Sequence, residues 1–200
     1  MTINAVIFDV GGVLYRFLSD GPYRRWETRL GLSTGQLYRI IFDNPVSDLA
    51  MIGCATMDEA WTEAGKLLAL KDGDLEALKN DIYLGGYWDT ELLSFISSLR
   101  PRYKTGVISD AWLGTRDAIH RWVNSDVFDM IMFSAEENIR KPNPDIFKRA
   151  LSRLQVSPQE AIFLDDLPHN VESAHTLGMH AIHFDATFEI RDELGRLLQA

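Results

Sequence analysis

Apolar residues along this chain fall into two patterns. Short unbroken runs, each closed by a polar or acidic residue, occupy positions 5–8, 105–108, 130–133, 161–164 and 181–184. Runs of this kind suit parallel strands covered on both faces, because a strand buried on both sides has no reason to alternate. The run alone does not separate a strand from a buried helix; the segments in between help to decide.

Those segments repeat at helical spacing and have readable ends. "NPDIFKRALSRL" offers Asn143 as a cap, Pro144 at the first helical position, and Ile146, Phe147, Ala150, Leu151 and Leu154 on one face. "DLPHNVESAHTLGMH" runs from an acidic start to Gly178, a helix stop, and "DTELLSFISSLRP" ends at Pro101. Strand and helix alternating from about residue 101 onward predict a doubly wound α/β domain.

The first and second runs are separated by a long stretch with helical character throughout. "TMDEAWTEAGKLLAL" has a cap at Thr56 and Ala60, Ala64, Leu67 and Leu68 on one side. "GDLEALKNDIYL" and residues 23–32 also read as helix, and no strand pair or internal repeat is expected there. A helical insertion over residues 16–94, with residues 1–15 and 95–200 forming the α/β core, is the simplest organisation.

Composition narrows the partners. The 200 residues carry a formal net charge of −9, and 46% are hydrophobic, enough for a substantial core. An acidic chain without a Lys/Arg run is expected to bind neither nucleic acid nor an anionic membrane surface. Cys54 is the single cysteine, compatible with a reducing, cytoplasmic location. The N-terminus lacks signal-peptide character, and no run approaches transmembrane length. The sequence implies no oligomeric state.

In an open α/β sheet, ligands gather at the carboxyl ends of strands. Here the first run ends at Asp9, the second at Ser109-Asp110 and the fourth at Asp165-Asp166, while Lys141 follows the third. The order "FDVGGVL", "VISD", "RKPNPDIF", "IFLDDLPHNV" resembles the haloacid-dehalogenase-like (HAD) hydrolase superfamily. Four motifs in register over nearly the whole chain carry the resemblance. It implies a Rossmann-like core with a helical cap inserted after the first motif.

What the resemblance implies for chemistry is specific. Asp9 becomes a nucleophile that forms an aspartyl-phosphate, and Mg²⁺ supplies the positive charge such an attack requires. The implied metal ligands are Asp9, the carbonyl of Gly11 and Asp166, with Asp165 behind them or exchanging roles with Asp166. Lys141 neutralises the nucleophile and the transferring group; Ser109 and the Asp110 amide bind phosphoryl oxygens. The expected substrate is a small phosphorylated metabolite, a sugar phosphate being one candidate.

Gly11 departs from the pattern. Many relatives carry a second aspartate there as general acid, a role worth about 10²–10⁴-fold in rate. Its absence keeps two other readings open. One is a haloacid dehalogenase, whose halide leaving group needs no proton, although the "GGV" tail and the acid pair argue against it. The other is a weakly catalytic binding or regulatory protein. Asp110, Tyr15 and Asp20 are candidate substitute donors, and Asn170 either bonds the acids or faces solvent. Tyr23, Arg24, Trp26, Trp112 and Arg116 are candidate substrate contacts, each more readily explained by packing or solvation. The five histidines form no metal pattern.

Overall fold

Residues 5–8 have no polar member and form β1 (Ala5–Phe8), with Val6 and Phe8 turned to one face and Ala5 and Ile7 to the other. A computed structural model of the chain describes residues 2–18, 21–83, 85–120, 125–185 and 190–199. After β1 the chain makes a tight turn into β2 (Tyr15–Phe17), then five helices follow: α1 (Pro22–Leu30), α2 (Gln36–Phe42), α3 (Pro45–Met51), α4 (Met57–Leu67) and α5 (Asp72–Tyr83). The expected cap at Thr56 is present as a reciprocal pair: its hydroxyl accepts from the Glu59 amide, and the Glu59 carboxylate accepts from the Thr56 amide. Asn44 caps α3 by accepting from Val46 and Ser47 amides.

The chain then runs through β3 (Gly86–Trp88), α6 (Thr90–Leu99), β4 (Lys104–Ser109), α7 (Thr115–His120), β5 (Met130–Phe133), α8 (Ser134–Glu137), α9 (Pro144–Leu154), β6 (Ala161–Asp165), α10 (Pro168–Thr176), β7 (His180–His183) and α11 (Ile190–Gln199). The Asn143 side chain accepts from the Asp145 amide at the start of α9, as the sequence anticipates. Gly178, at φ 97°, lies just past the end of α10.

Five strands form one parallel sheet in the order β5-β4-β1-β6-β7. The fold is α/β: a Rossmann-like doubly wound parallel sheet with inserted helices. From β1 the chain builds outward through β4 to β5, then crosses back to place β6 on the other side. The strand order reverses around β1 and β6, the position where such sheets leave a crevice at their carboxyl ends. One face packs against residues of α6 and α11, the other against α9 and α10. Central β6 is buried throughout, whereas β7 is only half-buried because it lies at the sheet edge.

One expectation needs correction. β2 and β3 pair antiparallel, Arg16 opposite Tyr87, inside the stretch read as wholly helical. Each strand has three residues and the partners lie about seventy positions apart, so neither alternation nor a turn motif marks them in sequence. Helices α1 to α5 share a cluster of their own, built on Trp26, Leu37, Ile41, Trp61 and Leu78 and joined by Trp112 from beyond β4. Among the described residues, no helix is long and apolar enough to cross a membrane.

Candidate active site

The β1 strand stops at a carboxylate because the sheet hands Asp9 to a crowded polar junction. Its amide donates to the Leu164 carbonyl at 2.9 Å, extending the β1–β6 ladder by one bond, and its side chain is only 9% exposed at the sheet edge. The Lys141 ammonium lies 2.7 Å from Asp9 Oδ1 and 2.6 Å from Asp165 Oδ2, and it also donates to the Ile108 carbonyl at 3.3 Å. Asp165 is fully buried. It accepts from the Leu167 amide at 2.8 Å and from Asn170 Nδ2, 3.0 Å from each carboxylate oxygen. Asn170 therefore faces the acids rather than solvent.

The loop carrying Lys141 is held from below by Asp110, whose Oδ1 accepts from the Lys141 amide at 3.0 Å. The loop after β4 is held in turn by Ser134, whose hydroxyl accepts from the Ala111 amide at 3.0 Å. Ser109 is buried at the end of β4. Ser134 carries no sequence signal, because its role depends on β5 lying beside β4. His183 is similarly silent in sequence, yet its Nε2 lies 3.0 Å from the Asp166 carbonyl.

Asp9, Asp165 and Asp166 bring one carboxylate oxygen each within 4.8 Å of one another. With Lys141 the four groups carry a formal charge of −2. Burial first, and then the repulsion of Asp165 and Asp166, push the Asp9 carboxyl up to about 8 despite the attraction of Lys141. Burial opposes the charge on Lys141, but Asp9, Asp165 and Asp110 outweigh it and hold the ammonium above its ordinary range. Burial also raises Asp110 and Asp166. This cluster is short of positive charge and offers only oxygen donors, which fits a hard divalent cation such as Mg²⁺.

The two glycines after Asp9 have different physical reasons. Gly12 has φ 75°, and a Cβ there would overlap the Asp166 carboxylate, so the side chain is excluded twice. Gly11 has no such constraint: a Cβ would meet nothing within 4 Å. A Cβ, the first atom of the acid that the motif lacks, therefore has open space at Gly11.

Other sequence candidates are engaged elsewhere. Trp26 is buried among the helices and donates to Asp81 at 2.8 Å; Arg24 bonds Thr34. Arg116 is paired with Glu136 at 2.6 Å. The Tyr15 hydroxyl donates to the Tyr83 carbonyl at 3.4 Å, and Asp20 falls outside the described residues. Tyr38, which sequence reasoning missed, does reach this region. Burial first, then the charges of Asp166 and Asp9, raise its phenol above the ordinary range. Nothing in "QLYRIIF" distinguishes Tyr38 from any surface residue of a helix.

The family model described as haloacid dehalogenase-like hydrolase matches residues 90–184, which include β4, β6 and the Lys141 loop. Over these 95 of its 200 residues the chain is similar to the haloacid dehalogenase-like hydrolases. It is 29% identical to mouse acyl-CoA dehydrogenase family member 10 over 98% of this chain and 19% of that protein. It is 24% identical to mouse bifunctional epoxide hydrolase 2 over 98% of this chain and 39% of that protein. The chain thus spans about a fifth and two fifths of these two relatives. A sesquiterpene phosphatase of Aspergillus oryzae is 25% identical over 98% of this chain and 97% of its own length. In fold, the chain matches a predicted HAD-like hydrolase from Porphyromonas gingivalis at TM-score 0.76, with 24% identity and both chains fully covered. It also matches a HAD family enzyme from Bacteroides thetaiotaomicron, in complex with magnesium and inorganic phosphate, at TM-score 0.73, with 19% identity over 94% of this chain and 96% of that one.

Proposed function

We propose that this protein is a Mg²⁺-dependent phosphatase that hydrolyses phosphate monoesters of small metabolites through an aspartyl-phosphate on Asp9. One observation carries this reading: a carboxylate at a strand end lies 2.7 Å from a buried lysine, inside a cluster of acids that lacks compensating charge. The match to the haloacid dehalogenase-like hydrolase model and the likeness to phosphatases over nearly their full length support it.

In this reading an Asp9 oxygen attacks phosphorus while the ester P–O bond breaks and its electron pair leaves with the alcohol oxygen. Water then attacks the same phosphorus, releasing inorganic phosphate and restoring the carboxylate. Lys141 holds Asp9 in place and offsets charge on the transferring group. Ser109 and the Asp110 amide receive phosphoryl oxygens, and Asn170 with Leu167 fixes Asp165 so that it keeps Lys141 oriented. Asp9, Asp166 and the Gly11 carbonyl would hold Mg²⁺, with Asp165 behind them; the ion neutralises charge between nucleophile and phosphate. Residues 16–94 serve as the cap.

Without an acid at Gly11, the leaving alcohol lacks the family's usual proton donor, and Asp110 is occupied by the Lys141 amide. The rate is therefore expected to fall steeply as the leaving group becomes poorer. Inorganic phosphate release, measured with and without Mg²⁺ on wild type and Asp9→Asn, tests the assignment. Phosphate release that survives Asp9→Asn removes the covalent step, and halide release without metal would instead point to a dehalogenase.

A further inference from the structure

Five aromatic rings run in unbroken contact from the first motif to the second. Phe17 meets Tyr23 at 5.6 Å between centroids, Tyr23 meets Tyr38 at 6.2 Å, Tyr38 meets Phe42 at 4.8 Å, and Phe42 meets Trp112 at 5.2 Å. The run starts in β2, the strand that follows the Asp9 turn, and ends just past Asp110. β2 starts against that turn: the Tyr15 amide donates to the Val10 carbonyl at 2.8 Å, and the Arg16 guanidinium donates to the Gly12 carbonyl at 3.2 Å. Phe17 and Tyr38 are 43% and 40% exposed, and Leu167, next to Asp166, is 37% exposed.

Large apolar side chains left open beside a buried charged cluster need a reason, since burial would otherwise stabilise the fold. Three arginines close to the run or its ends in sequence are already paired within the protein. Arg16 is paired with Asp89, Arg24 with Glu27 and Thr34, and Arg116 with Glu136. A sugar brought against these rings would strip water from its hydroxyls with few partners in return. Trp112 adds a second observation. It is 5% exposed, and its indole N–H has no acceptor among the described residues. A buried donor of this kind calls for an oxygen acceptor, from water or from a ligand.

We propose that the preferred substrates are phosphate monoesters of apolar alcohols, whose hydrocarbon or aromatic part lies on the Phe17–Tyr23–Tyr38–Phe42–Trp112 run while the phosphoryl group meets Asp9 and Lys141. The proposal rests on the phosphatase reading and deepens it. It commits this site to a substrate class different from the sugar phosphates that the motifs bring to mind.

The test is a comparison of kcat/KM, with Mg²⁺, for esters of primary alcohols with similar leaving groups. n-Octyl phosphate and 2-phenylethyl phosphate represent the apolar class, glucose 6-phosphate and glycerol 3-phosphate the polar one, and acetyl phosphate reports the chemistry independently of either. The apolar esters are expected to exceed the polar ones by about tenfold or more. Tyr38→Ser should bring that ratio toward one and Tyr38→Phe should retain it; Phe17→Ser provides the same test if Tyr38→Ser fails to fold. Hydrolysis of acetyl phosphate with polar esters equal to or better than apolar ones overturns this proposal and leaves the phosphatase reading intact. So does an apolar preference that both serine variants preserve. No phosphate from acetyl phosphate or any ester ends both.

Discussion

The carboxyl edge of the sheet and the helices α1 to α5 bury their side chains for different ends. At the sheet edge, Asp9, Lys141, Asp165 and Asn170 are nearly inaccessible and lock one another in place through short polar contacts. In the helices most buried residues are aromatic and aliphatic, held by packing, with Glu27, Asn44 and Ser47 buried beside them, and most ionic links lie at the surface. A charged cluster tolerates little displacement, because each removed partner strands a buried charge. An apolar surface tolerates substitution of similar volume. In the proposed reading, chemistry belongs to the sheet edge and selection among substrates to the helices.

The sharpest way to break that division is Asp9→Asn. Phosphate release should fall by about 10⁴-fold or more, as when a covalent nucleophile is removed, while the unfolding midpoint stays near that of wild type. Lys141→Met tests the stability side of the same cluster. It leaves Asp9 and Asp165 buried without a cation and should reduce the unfolding free energy by about 3–5 kcal/mol in a urea titration, alongside loss of turnover.

Gly11→Asp comes next in size. The site has room for a side chain, so this variant should fold and raise turnover of alkyl phosphates by about 10–100-fold, with little gain on acetyl phosphate. Equal gains on both would mean that proton transfer to the leaving group is not what Gly11 lacks. Gly12→Ala is the contrasting change. Its Cβ would displace the Asp166 carboxylate, so a higher Mg²⁺ concentration should be needed for half-maximal rate.

The smallest effect concerns the join between the two regions. Asp48 on α3 pairs with Arg140, next to Lys141, and Asn138 Nδ2 donates to the Ile52 carbonyl at 2.9 Å. The ion pair is partly exposed, so Asp48→Ala should change stability by less than about 1 kcal/mol. A tenfold or larger loss of kcat/KM from this variant would show that the helices set the position of Lys141, and the division drawn above would fail.

How far the chain could be read without coordinates depended on the range of the forces involved. Strand runs, the Asn143 and Thr56 caps and the stop at Gly178 are local preferences written within a few residues of one another. The motif acids at strand ends were legible for the same reason. The β2–β3 pair was not, because its register is set by residues about seventy positions apart and by nothing in either three-residue strand. Asn170 could not be assigned to the acids or to solvent from sequence, since a helix-start amide looks identical in both cases. Tyr38 and Ser134 gave no signal at all.

Local spacing was enough to establish the strand and helix pattern, and the resemblance to a known family singled out the acids and the lysine at the strand ends. Folding in three dimensions settled that Gly12 and not Gly11 excludes a side chain, that Lys141 is shared by Asp9 and Asp165, and that five aromatic rings from distant segments meet in one run. The reason is physical: hydrophobic period and capping act between neighbours along the backbone, whereas charge pairing and steric exclusion act between whatever the sheet brings together.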